Sequence, residues 1–386
     1  MYVTSDLDDA SLARKVAAFQ ATLPYQDVPY SSRAWGHPLH SLCSYQGKLK
    51  PALAHWLVRQ FTAYGELVVD PLAGVGTIPF EAALLGRRSV GNDLSPFAAT
   101  VAQAKVDPPS PTEADEALGQ LAEAMAAVTI TDADDEAANF GLNATVRDYY
   151  HPDTLKEVLR ARRVYLDGQL TDRGVAFMWA SLLHVLHGNR PYALSRNSHP
   201  ITPFNPSGPF VYKSVIEKTR TRMDRALATP LPGVFVAGRG IEGDFRDLAS
   251  AVDDTEEAAA VITSPPFLGM RFDRPNWLRM WFCGWTADDF HTKSLKFLER
   301  QQAKSLSCYE DFYDVCSKLL RADGLLIIHI GSGKKDRLVD GLRDLANPQF
   351  RLIGETVENV TALEQHGLSD KGNRTTSHHL LFFRRN

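Results

Sequence analysis

Leu67-Val68-Val69-Asp70-Pro71-Leu72-Ala73-Gly74-Val75-Gly76-Thr77 reads as a short apolar strand that breaks into a glycine turn and then enters a helix. The helical run, Ile78 to Leu85, closes at Gly86. Strand, glycine turn, helix lets backbone N–H groups approach a ligand closely. The pattern is not G-x-G-x-x-G, and no lysine follows the second glycine as it would in a phosphate loop. A second strand, Ser89-Val90-Gly91-Asn92, ends at Asp93. An acid at the end of the second strand of such a fold is where a ribose diol is usually held.

A second apolar run, Ala258 to Thr263, ends at Ser264-Pro265-Pro266-Phe267. Two prolines stop a strand because neither donates to a ladder. They also fix the backbone and turn its carbonyls outward. A hydroxyl before them and an aromatic ring after them suit a flat ring that carries an amine. The ring stacks on Phe267, while the Ser264 hydroxyl and the Pro265 carbonyl accept from the NH2.

Taken together, the two motifs resemble those of S-adenosylmethionine-dependent amino-methyltransferases, most of all the bacterial DNA cytosine-N4 and adenine-N6 enzymes. D-P-L-A-G-V-G-T is similar to the family's cofactor motif, D-P-F-x-G-x-G-T, and S-P-P-F to its catalytic motif, [DNS]-P-P-[YFW]. The resemblance extends to Cys43–Leu57, to Phe267–Trp285 with its W-F-x-G-W ending, and to the tail Gly372–Phe383. It covers Cys43–Lys105 and Gly238–Asn386. It implies a doubly wound, Rossmann-like α/β sheet closed by an antiparallel hairpin. Serine at the first catalytic position goes mostly with cytosine-N4, and Asp or Asn with adenine-N6. Cytosine-C5 chemistry needs a thiolate, typically after a proline; Cys43, Cys283, Cys308 and Cys316 do not follow one.

The resemblance also implies a set of site residues. Ser264, Pro265, Pro266 and Phe267 form the catalytic set. Asp70, Pro71, Ala73, Gly74, Gly76 and Thr77 shape the cofactor loop, and Asp93 holds the ribose. Asp244, in Gly243-Asp244-Phe245, accepts from the adenine amine. Tyr45 and Lys50 are weaker candidates at the methionine end. S-adenosylmethionine is the expected cofactor and DNA the expected partner, with an associated restriction or defence system as a further partner. Adenine-N6 methylation of DNA and methylation of an RNA base amine are the rival activities.

The composition is that of a globular enzyme of one large or two moderate domains. No apolar stretch is long enough to span a bilayer, and the N-terminus lacks a signal-peptide pattern. Four scattered cysteines without C-x-x-C point to a reducing cytoplasm and away from structural zinc. The net charge of −4 is not that of an average nucleic-acid binder, but its distribution is uneven. Glu113–Glu136 holds eight acids and no Lys or Arg, whereas Arg190–Arg225 holds seven basic residues against two acids. The second stretch is a candidate nucleic-acid face, with Arg190, Arg196, Asn197, His199, Lys213 and Arg220 as its contacts.

Around the motifs, strands and helices alternate, which implies a mainly parallel sheet. Residues 1–107 read as the N-terminal segment and cofactor half, 108–231 as a helical insert that recognises the target, and 232–386 as the catalytic half. Helices are expected over Asp9–Leu23, Leu49–Phe61, Phe97–Lys105, Thr112–Ala127, His151–Tyr165, Arg173–His187, Val211–Leu227 and Tyr309–Leu320. Thr129–Gly141 reads as a polar connector and Asn189–Pro209 as a long loop. Strands are expected at Gly233–Ala237 and Gly324–Ile330, with a closing hairpin of Phe350–Val360 and His378–Arg384. His184 and His187 have a metal-compatible spacing but read as packing residues, so no metal is expected. Trp277, Trp281 and Trp285, at i, i+4 and i+8, read as core.

Overall fold

The computed structural model describes residues 8–386 except 169, 171, 253–255, 334–336 and 361–374. Residues Gly372–Arg374 of the tail motif therefore lie outside the described residues. Seven strands form one sheet: β1 (Leu67–Asp70), β2 (Arg88–Asp93), β3 (Arg239–Glu242), β4 (Ala258–Thr263), β5 (Leu320–Gly333), β6 (Phe350–Asn359) and β7 (Thr375–Arg385). Their order is β3-β2-β1-β4-β5-β7-β6. β1 to β5 run parallel, and β7 enters antiparallel between β5 and β6. The expected doubly wound sheet and its closing hairpin are both present.

Burial on both faces explains why β1 and β4 are uninterrupted apolar runs. Alternate residues feed different cores. Val68, Ala260, Ile262 and Ile327 pack with helices α1 (Asp9–Thr22) and α2 (Pro51–Phe61). Val69, Val261, Leu326 and Ile328 pack on the other face with helix Cys308–Leu319. Chain order reverses between β1 and β4, and ligands bind at such a switch point, beyond the carboxyl ends of the strands. The register pairs Val69 with Val261, which brings Asp70 and Ser264 to neighbouring strand ends.

After β1 come α3 (Thr77–Leu84), β2 and α4 (Pro96–Val106); Pro108-Pro109 then halts the helix. The insert follows, with α5 (Pro111–Ala127) and helices Pro152–Asp167, Val175–Val185 and Val215–Leu227. It shares a third core with α4 and with the stretch Trp277–Trp285, where all three tryptophans are buried.

Three expectations need correction. The third strand is Arg239–Glu242, not Gly233–Ala237: Phe235 turns back onto the Pro232 carbonyl and the Val236 amide bonds Ala83, so neither reaches β2. The connector Thr129–Gly141 contains a helix, Asp132–Ala137, held by a capping box between Thr131 and Asp134. The basic helix begins at Val215, capped by Ser214, and residues 211–213 run ahead of it without helical structure. Helix Leu338–Ala346 went unread.

Candidate active site

The glycine turn is wrapped around a cavity. Gly74 and Gly76 sit at φ +52° and +69°, where a side chain is strained. Asp70 is buried at the end of β1, and its carboxylate accepts from the Leu72 amide at 3.1 Å. Asp93 closes the turn from β2: one carboxylate oxygen accepts from Gly74 N at 2.9 Å, the other from Ser95 N at 2.8 Å. Ser95 itself caps α4, so Asp93 is not the helix cap. Burial pushes the Asp70 carboxyl up to about 7 and that of Asp93 up to about 6, each against the hydrogen bonds it accepts.

Tyr45, Asp70, Ala73, Gly74, Thr77, Asp93 and Asp244 all line this cavity. Pro71 and Gly76 lie behind it: the Pro71 carbonyl accepts from Asn92 Nδ2, and Gly76 caps α3. The Tyr45 ring stacks on Phe272, centroids 5.6 Å apart at 8°. Asp244 also accepts from the Arg246 guanidinium at 3.1 Å. Glu299, which no motif signalled, completes the acidic lining, and burial raises its carboxyl to about 7.

A second and larger cavity is lined by Ser264, Pro265, Pro266 and Phe267. It shares Gly47, Lys48, Leu49, Ser264, Pro266 and Phe272 with the first. Lys50 lines this second cavity and not the first. The parallel register pairs Thr263 with Ile328, so Ser264 and His329 are the next neighbours, and Ser264 Oγ lies 3.0 Å from His329 Nδ1. The Phe267 ring packs over Gly331 and against the neighbouring rings of His329 and His378, 5.7 Å from each. A Cβ on Gly331 would fall 2.4 Å from that ring. His329, His378 and Gly331 escaped the sequence reading because they reach the site only through the β4–β5–β7 register. The one available signal was their place near the ends of two apolar strands.

The basic candidates gather around the Asn189–Pro209 loop, but their charges are largely spent within the fold. Arg196 donates to the Gly208 and Asp148 carbonyls at 2.7 and 3.1 Å and lies over the Phe210 ring. Lys213 donates to the Ala193 and Ser195 carbonyls, both at 2.6 Å. Arg190 donates to the Tyr192 hydroxyl at 2.8 Å, and Arg220 pairs with Asp115 on α5. His199 accepts from the Ile201 and Thr202 amides. Asn197 exchanges backbone bonds with Ser207 and is exposed. The loop is tied to the segment just before Tyr45, where Ser44 Oγ donates to the Pro200 carbonyl at 2.8 Å. His184 accepts from the Ser44 amide and His187 is buried; no metal-binding cluster occurs among the described residues. No helix among them is long and apolar enough to cross a membrane.

Residues 40–148 match the family described as RMKL-like, methyltransferase domain. The type II methyltransferase M.MjaII of Methanocaldococcus jannaschii is 31% identical over 68 residues, which are 18% of this chain and 13% of that protein. The chain thus spans only a small part of the curated relative it matches. Among solved structures, TrmN from Thermus thermophilus aligns over 88% of this chain and 50% of its own (TM-score 0.33, 14% identity). The rRNA methyltransferase aviRa from Streptomyces viridochromogenes aligns over 93% of both chains (TM-score 0.36, 13% identity).

The matched segment contains the glycine turn, Asp70 and Asp93, and the methyl donor is S-adenosylmethionine. The cavity fits it. Glycine at 74 leaves the backbone bare on the cavity wall, and the buried carboxylates of Asp70, Asp93 and Glu299 would offer negative charge to a cationic donor.

Proposed function

We propose that the protein methylates an exocyclic amine of a nucleic-acid base, and that its target is N4 of cytosine within a short DNA sequence. The observation that carries this reading is the wall of Ser264 and Pro266 common to two cavities, one lined by the glycine turn and its carboxylates and one lined by Ser264-Pro265-Pro266-Phe267. When bound, S-adenosylmethionine supplies a methyl group on a sulfonium, already a strong electrophile. The residues must therefore orient the amine and exclude water. A cytosine N4 lone pair is conjugated into its ring. Hydrogen bonds from both amine protons, to Ser264 Oγ and the Pro265 carbonyl, favour a pyramidal nitrogen and stabilise the positive charge that grows on it. Phe267 offers its face to the ring, and a duplex base must be flipped out to reach it.

Serine at position 264 favours cytosine over adenine by its resemblance to the cytosine-N4 enzymes, and the short match to a type II methyltransferase favours DNA. In this reading the insert, residues 108–231, recognises the target. The deciding experiment is digestion and mass spectrometry of plasmid DNA from cells expressing the chain, with Pro265→Ala as control. N4-methylcytosine in the wild type alone is the expected result. N6-methyladenine would keep the amine site and overturn the choice of base. The absence of both marks from the DNA would overturn the DNA reading.

A further inference from the structure

We propose that His329 is a positioning residue for Ser264: its Nδ1 accepts the Ser264 hydroxyl proton, which leaves both lone pairs of Oγ to the target amine. The inference rests on the amine-site reading above and adds a residue that no motif assigns.

Three observations carry it. The Oγ–Nδ1 distance of 3.0 Å is that of a hydrogen bond, and the β4–β5 ladder fixes it, with Thr263 and Ile328 paired just before it. His329 is 94% buried by its 6% exposure, and burial, then nearby His378, Lys50 and His379, hold its ring well below the usual histidine range. The ring is therefore neutral and carries one proton.

The third observation decides where that proton sits. Ser264 Oγ has no hydrogen-bond partner other than His329 among the described residues. If Nδ1 carried the proton, His329 and the amine would both donate to Oγ, and the serine proton would be left without an acceptor. With the proton on Nε2, the serine proton pairs with Nδ1 and the amine proton pairs with Oγ. Nε2 meets no hydrogen-bond partner among the described residues; the ring makes an edge-on contact with the His378 ring, centroids 5.0 Å apart. That arrangement pairs both the serine proton and the amine proton at the reacting end and leaves the Nε2–H unpaired against the His378 ring, whereas the other tautomer orphans the serine proton beside the amine itself. Phe267 and His378 hold the imidazole in place, so the serine does not have to find its rotamer after the amine arrives.

Two measurements on the full chain test this. The first is 15N NMR of histidine-labelled protein, with His329 assigned among the 12 histidines by its loss in His329→Asn. An unprotonated Nδ1 whose resonance moves in Ser264→Ala is expected; a protonated Nδ1 overturns the proposal. The second is single-turnover methylation of plasmid DNA. His329→Leu is expected to slow the step roughly 100-fold without changing KM for DNA. His329→Asn, whose amide oxygen can take the place of Nδ1, restores the rate to within about 10-fold of wild type. In a Ser264→Ala background, His329→Leu adds no further loss. An equal loss in both backgrounds overturns the proposal, because His329 would then act without Ser264. A fully active Ser264→Ala overturns the amine-site reading instead. If the plasmid accepts no methyl group, the DNA reading fails and the NMR result alone decides the role of His329.

Discussion

Ser264 and Phe267 separate binding from chemistry. Neither belongs to the glycine turn assigned to the donor, although Ser264 stands on the wall the two cavities share. Ser264→Ala and Phe267→Ala are therefore expected to slow transfer by more than about 100-fold, to a rate still measurable in single turnover, while calorimetry shows cofactor affinity within about 3-fold of wild type. Gly331 makes a sharper test, because it touches no ligand. Its missing Cβ is the space occupied by the Phe267 ring, which also packs against the paired rings of His329 and His378. Gly331→Ala is expected to cost about 1–3 kcal/mol in urea unfolding and to lower the transfer rate by more than about 10-fold through the displaced ring. Unchanged activity would mean that the ring position is not used. Ser264 and Phe267 were legible in the sequence because proline leaves a local signature. Gly331 and His329 were not, because the contact that matters spans strands 65 residues apart in the case of Ser264 and His329.

Single elements show the same division. The turn between β1 and α3 was readable because left-handed backbone demands glycine. Gly76 adds a packing demand: a Cβ there would lie 2.9 Å from the Cα and Cβ of Ala102 on α4. Gly76→Ala is expected to destabilise the fold by about 2–4 kcal/mol, combining left-handed strain with displacement of α4. Chemical denaturation measures it, and a loss below about 0.5 kcal/mol would show that the two helices yield freely. Elements that rest on tertiary pairing were misjudged. Val234 and Val236 made Gly233–Ala237 look like a strand, yet Val234 is 50% exposed and β2 pairs instead with Arg239–Glu242. The helix Asp132–Ala137 was hidden by its acidic, polar composition, although Thr131 and Asp134 carried the capping-box spacing. In the basic stretch, the sequence displayed charge but not its use: Arg196 and Lys213 hold the loop's own carbonyls.

Across the whole molecule, the acids facing the donor cavity govern the response to pH. Asp70, Asp93 and Glu299 are raised by burial to about 7, 6 and 7 from ordinary values of 3.8, 3.8 and 4.5. The folded state thus binds their protons more tightly than the unfolded chain does. Their ionisation costs stability as pH rises from about 4 to about 7, and the cost is constant above that. A cationic donor favours the ionised forms. Cofactor affinity is therefore expected to rise between pH 5.5 and 8 (roughly the span of these three values), while stability without cofactor falls toward a plateau. Calorimetry across that range checks the first and thermal unfolding the second. An affinity independent of pH would mean that these carboxyls do not face the donor's charges.

The strand order has a consequence in time. β7 is the last of the seven strands in chain order, yet it lies between β5 and β6 and carries His378 to the wall of the larger cavity. During synthesis, the glycine turn and Ser264 leave the ribosome well before that wall exists, and β6 waits beside an open edge for its only partner. The nascent chain is able to form the donor cavity first and the target cavity last. A chain released early would have the parts for holding its donor but no enclosed place for a base, so an incomplete product is silent rather than misdirected.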